Sequence, residues 1–240
     1  MTPFSEKEIV RKYRTEWKYS AKETELISVR ENISSILQHD RFSNENGKYA
    51  VHSMYFDDID DTCARKNVAG DGRRFKYRLR YYNHSPDYLL LEKKEKNNAF
   101  CYKRNALINK ETYDDLLNGN VDRMLWSDKQ VLKEFAFDVL TRGFMPKVII
   151  SYEREAFVEP ISNARITFDS HIVASDDFSH FFDNFYYIPI ISDNNVVLEV
   201  KFDYVLPAYI SRIIQSKQIN QQSFSKYYMG RLAIQKNYKL

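Results

Sequence analysis

The stretch Phe75-Lys76-Tyr77-Arg78-Leu79-Arg80-Tyr81-Tyr82 decides how the rest of the chain is read. Side chains along a strand alternate between faces, so Phe75, Tyr77, Leu79 and Tyr81 share one side and Lys76, Arg78, Arg80 and Tyr82 the other. One side can be buried; the other carries three bases. The next run alternates as well, with Leu89, Leu91, Lys93 and Glu95 set against Leu90, Glu92, Lys94 and Lys96. Turn-forming residues lie between the two, Asn83-His84-Ser85-Pro86-Asp87, which predicts a hairpin. Ala99 to Ile108 then reads as a third strand beyond the Asn97-Asn98 turn.

Working outward, Arg11 to Tyr19, Tyr49 to Asp57, Lys147 to Phe157, Arg165 to Phe168 and Val196 to Phe202 also read as strands. Ser20-Ala21-Lys22-Glu23 has the form of a capping box, and Leu26, Ile27, Val29, Ile33, Ile36 and Leu37 follow at roughly helical spacing. Asp58 to Val68 is a short helical candidate, Gly70-Asp71-Gly72 a turn, and Lys110 to Arg142 a helical middle. Pro207 opens a helical region reaching Leu240. With no linker and no long repeat, the expectation is one α+β domain over residues 1–240, built around an antiparallel sheet.

Composition bounds the function. At 43% hydrophobic and 29% charged, the 240 residues can build a core and stay soluble, and 18 Tyr with 16 Phe suit strands. A net charge of +3 is too small to dictate a partner, so the local arrangement of charge has to. Cys63 and Cys101 make no disulfide framework, and the five histidines show no metal-ligand spacing. No apolar run approaches the ~20 residues of a spanning helix. Met1 to Lys12 has no signal-peptide core, which points to the cytoplasm. Glycine-rich phosphate loops, dinucleotide fingerprints and the hydrolase nucleophile elbow are all absent. Without an RNA-binding motif or a high net charge, no nucleic-acid partner is expected.

The charged faces carry the argument further. The triplet Glu-x-Lys occurs as Glu16-Trp17-Lys18, Glu92-Lys93-Lys94 and Glu199-Val200-Lys201, each placing acid and base on one face of a strand. A single basic face is ordinarily the solvated side of a sheet. Several on neighbouring strands repel one another unless something anionic lies between them. Closing the sheet with these faces inward would produce a basic tunnel suited to a polyanion.

Taken in order, several segments resemble the VTC domain, the polyphosphate polymerase domain of the vacuolar transporter chaperone family. That family belongs to the triphosphate tunnel metalloenzymes. The matching segments are Tyr13 to Tyr19, Val51 to Asp58, Lys76 to Tyr82, Leu91 to Lys94, Tyr102 to Arg104, Ser151 to Phe157, Arg165 to Asp169, Leu198 to Lys201 and Phe224 to Tyr227. The resemblance implies an antiparallel β-barrel tunnel with flanking and C-terminal helices. It implies an enzyme that moves the terminal phosphoryl group of ATP onto a growing polyphosphate chain, using Mn or Mg. Lys18, Arg78, Arg80, Lys94, Lys103, Arg154, Arg165 and Lys226 match the family's phosphate-binding bases. Glu199 matches its metal-binding carboxylate, Lys201 stands beside it with Arg78 and Arg80 as catalytic candidates, and Glu16 and Glu92 fall where such tunnels place further acids. The pattern departs at Ser223-Phe224 and Asn105, where relatives often carry another base. Hydrolysis of tripolyphosphate or nucleoside triphosphates, or non-catalytic, regulatory binding of polyphosphate or inositol polyphosphate, are the alternatives. A separate membrane protein would receive any exported polymer, placing the chain at the inner face of a membrane.

Overall fold

The computed structural model describes residues 14–83, 85–98, 100–183, 186–215 and 219–238. The first half runs β1 (Thr15–Lys22), α1 (Glu23–Ile36), β2 (Gln38–His39), β3 (Lys48–Asp57), α2 (Thr62–Val68), β4 (Arg73–Tyr82), β5 (Ser85–Asn97) and β6 (Phe100–Ile108). The second half runs α3 (Lys110–Leu117), α4 (Gln130–Arg142), β7 (Met145–Glu159), β8 (Ala164–Ser175), β9 (Ile188–Pro189), β10 (Asn195–Phe202), α5 (Ala208–Gln215) and α6 (Lys226–Asn237).

The ten strands of the described residues join one sheet in the order β1-β10-β8-β7-β3-β4-β5-β6, with β2 added to β7 and β9 to β8. Every pairing is antiparallel. The sheet curls until distant strands touch: Lys94 Nζ of β5 lies 2.7 Å from Glu16 Oε2 of β1. Among the described residues it does not close by a ladder, however. Its two ends meet there through one isolated bridge, Arg14 with Cys101, so the expected barrel is described as an open, curled sheet.

Alternation separates the two faces as the sequence predicts. On the outer face Tyr77, Leu79 and Leu91 are completely buried, and Phe135 of α4 packs edge-on against Tyr77 with ring centroids 5.0 Å apart. Trp17, Leu198, Val200, Ile166 and Phe168 form a second outer cluster with α1 and α5. Leu26, Val29 and Ile33 of α1 are fully buried there, each worth about 1.5–3 kcal/mol relative to exposure. The inner face is different. Its apolar part includes Val148, Ile150 and Ala174, which pack against Gly230 of α6, and beside it lies a strongly charged part.

Several boundaries differ from expectation. Ser20 is not an N-cap: it pairs with Val197 inside β1, and the ladder with β10 runs on to Lys22 and Asn195. The helix therefore starts at Glu23, and the Lys22 N–H donates to Glu25 Oε2 at 2.7 Å. The start of the expected strand, Arg11 to Tyr13, lies outside the described residues. The helical middle is broken by Gly119 at φ +74° and a 3₁₀ turn at Asp122–Trp126. The strand expected at Arg165 to Phe168 runs from Ala164 to Ser175, and the C-terminal helical region is two helices, with the described residues 219–225 non-helical between them. No helix among the described residues is long and apolar enough to cross a membrane.

Candidate functional site

The inner face of the curled sheet surrounds a cavity of about 120 Å³. Glu16 and Lys18 reach it from β1, Tyr55 from β3, and Lys76, Arg78 and Arg80 from β4. Lys94 comes from β5, Tyr152 and Arg154 from β7, Glu199 and Lys201 from β10, and Ser225, Lys226 and Tyr227 from the start of α6. Among the described residues, eight cations thus face two carboxylates. Such an excess is costly in a partly buried space unless an anion shares it.

The register explains how the cavity tolerates this charge. β1 and β10 are antiparallel, so their Glu-x-Lys triplets oppose each other with Glu16 across from Lys201 and Lys18 across from Glu199. Lys18 Nζ lies 3.4 Å from both Glu16 Oε1 and Glu199 Oε1, and Lys201 Nζ lies 2.8 Å from Glu199 Oε2. Two further acids sit behind the lining. Glu92 is fully buried and takes Arg78 Nε at 2.5 Å and Lys103 Nζ at 2.6 Å. Asp169, also fully buried, accepts the Arg154 guanidinium at 2.6 and 2.8 Å and lies 2.6 Å from Lys226 Nζ. The bidentate geometry fixes the plane of Arg154.

Protonation follows from burial and crowding. Burial would raise the carboxyls of Glu92 and Asp169, but the adjoining bases outweigh it and hold both well below the usual range. Burial brings the Lys18 ammonium down to about 7, against the opposing pull of Glu16. It pushes Lys201 down too, with Glu16 again opposing and Arg154 adding to the fall. Tyr55 runs the other way. Burial would raise its phenol, yet Arg78 and Arg80 bring it down to about 7, with Arg78 Nη1 donating to the hydroxyl at 3.2 Å. Ser225 caps α6 by accepting the Tyr228 N–H at 3.3 Å, which turns a helix N-terminus toward the cavity and adds to its preference for anions.

Lys18, Arg78, Arg80, Lys94, Arg154, Lys226, Glu199 and Lys201, all singled out from sequence, are brought together here. Lys103 and Arg165 are not among the lining. Lys103 is about half exposed and supports Glu92, whereas Arg165 is held by Asp40 and Tyr49. Sequence reasoning missed Lys76, Tyr55, Tyr152 and the buried acid Asp169. Lys76 sits on the basic face that alternation identifies, so its signal was present but unassigned.

A divalent metal is tested by the acids available. Among the described residues no group of three or more His, Cys, Asp or Glu could hold an ion. Glu16 and Glu199 remain, both beside Lys18, and Glu16 Oε1 is buried without a hydrogen-bond partner. Mg and ions like it commonly take one or two carboxylates, with water and substrate phosphates filling the other positions, so this pair fits an ion shared with a phosphate substrate.

The model of one protein family, the VTC domain, matches residues 13–235 and bears out the resemblance drawn from the motifs. No curated protein matches the chain. Among solved structures it is similar to a putative adenylate cyclase from Bacillus halodurans, with 12% identity and a TM-score of 0.54 over 90% of this chain and 95% of that one. A protein from Pyrococcus horikoshii OT3 is similar at 12% identity and a TM-score of 0.50, over 94% of this chain and 99% of that one. At these identities the likeness is one of fold.

Proposed function

The chain belongs to the VTC domain family, and from that premise we propose that it is a metal-dependent polyphosphate polymerase using ATP. The observation that carries this reading is the cavity in which, among the described residues, eight cations from five strands and a helix face two carboxylates. Condensed phosphates offer the matching charge. In the step proposed, a terminal phosphate oxygen of the polyphosphate attacks the γ-phosphorus of ATP. The bond from that phosphorus to the β–γ bridging oxygen breaks, and ADP leaves with the electron pair.

Phosphoryl transfer depends chiefly on alignment and charge neutralisation, which agrees with a site whose residues are bases and carboxylates rather than an activated nucleophile. Arg78 and Arg80 would clamp phosphate oxygens with fixed forks of donors, while Lys18, Lys94 and Lys226 follow the chain as mobile charges. Lys201 would neutralise oxygen charge beside the reacting phosphorus. Glu199 and Glu16 would hold Mn or Mg, which when bound supplies charge neutralisation to the transferring phosphoryl group.

Incubating the protein with ATP and Mn tests this reading by product analysis. Polymer longer than the input phosphates is expected. Orthophosphate alone would convert the assignment to a hydrolase, and tight binding without turnover would convert it to a binding module. Glu199→Gln is expected to lower kcat by about 10²-fold or more, the scale seen when a group stabilising transition-state charge is removed. Undiminished turnover would remove Glu199 from the metal site.

A further inference from the structure

Seven of the eight lining cations lie within 4 Å of a carboxylate: Lys18, Lys94 and Lys201 near Glu16, Arg78 and Arg80 near Glu92, and Arg154 and Lys226 near Asp169. Lys76 is the exception among the described residues. Its Nζ donates to two neutral oxygens, Asn67 Oδ1 at 3.0 Å and Ser225 Oγ at 2.9 Å, and sits 5.1 Å from the centre of the Tyr227 ring. Two residues earlier on the same face of β4 stands Arg74, whose Nη1 donates to the backbone carbonyl of Asp71. Opposite Arg74 in the β4–β5 register is Lys96, and opposite Lys76 is Lys94. Neither Arg74 nor Lys96 has a carboxylate at ion-pair distance among the described residues. Glu95, the acid next to Lys96, points to the other face and is taken by Arg104 Nη2 at 2.9 Å.

We propose that Lys76, Arg74 and Lys96 form a track continuing the cavity along β4 and β5, on which the part of a polyphosphate chain projecting from the cavity is held. The inference rests on the reading of the cavity as a condensed-phosphate site and adds where a longer chain runs. Three features support it. Same-face residues on a strand repeat about every 6.8 Å, so Arg80, Arg78, Lys76 and Arg74 form one continuous row about 20 Å long. Bases directly opposite each other, such as Arg74 and Lys96, repel, and an anion laid between them relieves that repulsion. Among the described residues, Glu16, Glu92 and Asp169, which neutralise the deeper bases, form no ion pair with Arg74 or Lys96, which leaves these two available to a chain.

The test compares two probes, tripolyphosphate and long-chain polyphosphate, on the native protein and on the double variant Arg74→Gln, Lys96→Gln. Tripolyphosphate fits within the cavity, so its affinity should be unchanged, which also reports that the variant is folded. Long-chain polyphosphate should bind about tenfold more weakly, as expected for losing two partly exposed charge contacts. Its affinity should also depend less steeply on salt. Equal affinity of the variant for the long chain would overturn the proposal, and so would an equal loss for both probes. If the native protein bound neither probe, the reading of the cavity itself would fail instead.

Discussion

Lys226 Nζ lies 2.6 Å from Asp169 Oδ2, joining the first turn of α6 to a fully buried carboxylate on β8 that also holds Arg154. One acid therefore places two of the cavity's bases. In Asp169→Asn, side-chain shape is kept, but Lys226 loses its carboxylate and Arg154 keeps only Glu199, at 3.7 Å. A loss of about 3–5 kcal/mol in unfolding free energy is expected, measured by urea denaturation. Added polyphosphate should recover more stability in the variant than in the native protein, because it replaces the missing negative charge. A variant as stable as the native protein would mean that Arg154 and Lys226 find other partners.

Binding should depend on pH with a sign set by Lys18. With burial bringing its ammonium down to about 7, Lys18 becomes increasingly neutral above that pH in the free protein. Glu16 and Glu199 face it as acids, and Lys94, Lys201 and Lys226 as bases. A bound polyanion favours the ammonium, so the complex holds more protons than the free protein, and association takes one up. Tyr55, brought down to about 7, regains its proton on anion binding and acts in the same direction. Affinity for tripolyphosphate should therefore fall as pH rises above 7, by at most about tenfold per pH unit for each group. Calorimetry in buffers of different ionisation enthalpy would detect the proton uptake. Lys18→Arg, permanently charged, should flatten the profile, and an unchanged slope would exclude Lys18 as its source.

Gly230 allows α6 to lie against the inner face of the sheet. A Cβ there would meet Ile150 Cδ1 at 2.3 Å and Val148 Cγ2 at 3.3 Å, and both side chains are completely buried. Gly230→Ala gains up to about 1 kcal/mol of helix propensity. Overpacking a full core costs about 1–3 kcal/mol, so the net effect should be destabilising. Displacing α6 also moves Lys226 and Tyr227, so urea denaturation should show lower stability together with weaker tripolyphosphate binding. Lower stability with native affinity would show that Ile150 and Val148 yield without moving the helix.

What could be read from the chain was what alternation encodes. The two faces of Phe75 to Tyr82 are the two faces observed, with Tyr77, Leu79 and Tyr81 buried and Lys76, Arg78 and Arg80 lining the cavity. Pairing across strands is not encoded that way. Nothing local says that Asp169 would meet Arg154 and Lys226, or that Glu92 would lie between Arg78 and Lys103. Closure is equally non-local, since it depends on whether the curl of the sheet brings β1 and β6 into a ladder, and among the described residues only Arg14 and Cys101 pair there. Ser20 misled for a related reason. A capping sequence is a local preference, and the ladder to β10 overrode it for three residues.

The carboxylates standing beside the cavity's bases give the site the character of an ion-exchange bed. A phosphate arriving at Lys18, Lys94 or Lys226 would displace Glu16, Glu199 or Asp169 as counter-ion, and on leaving would hand the base back. Each hold on the cargo is then a swap of partners rather than the filling of an empty site. That would keep any single grip shallow, and under the proposed function a long charged thread would slide rather than stick.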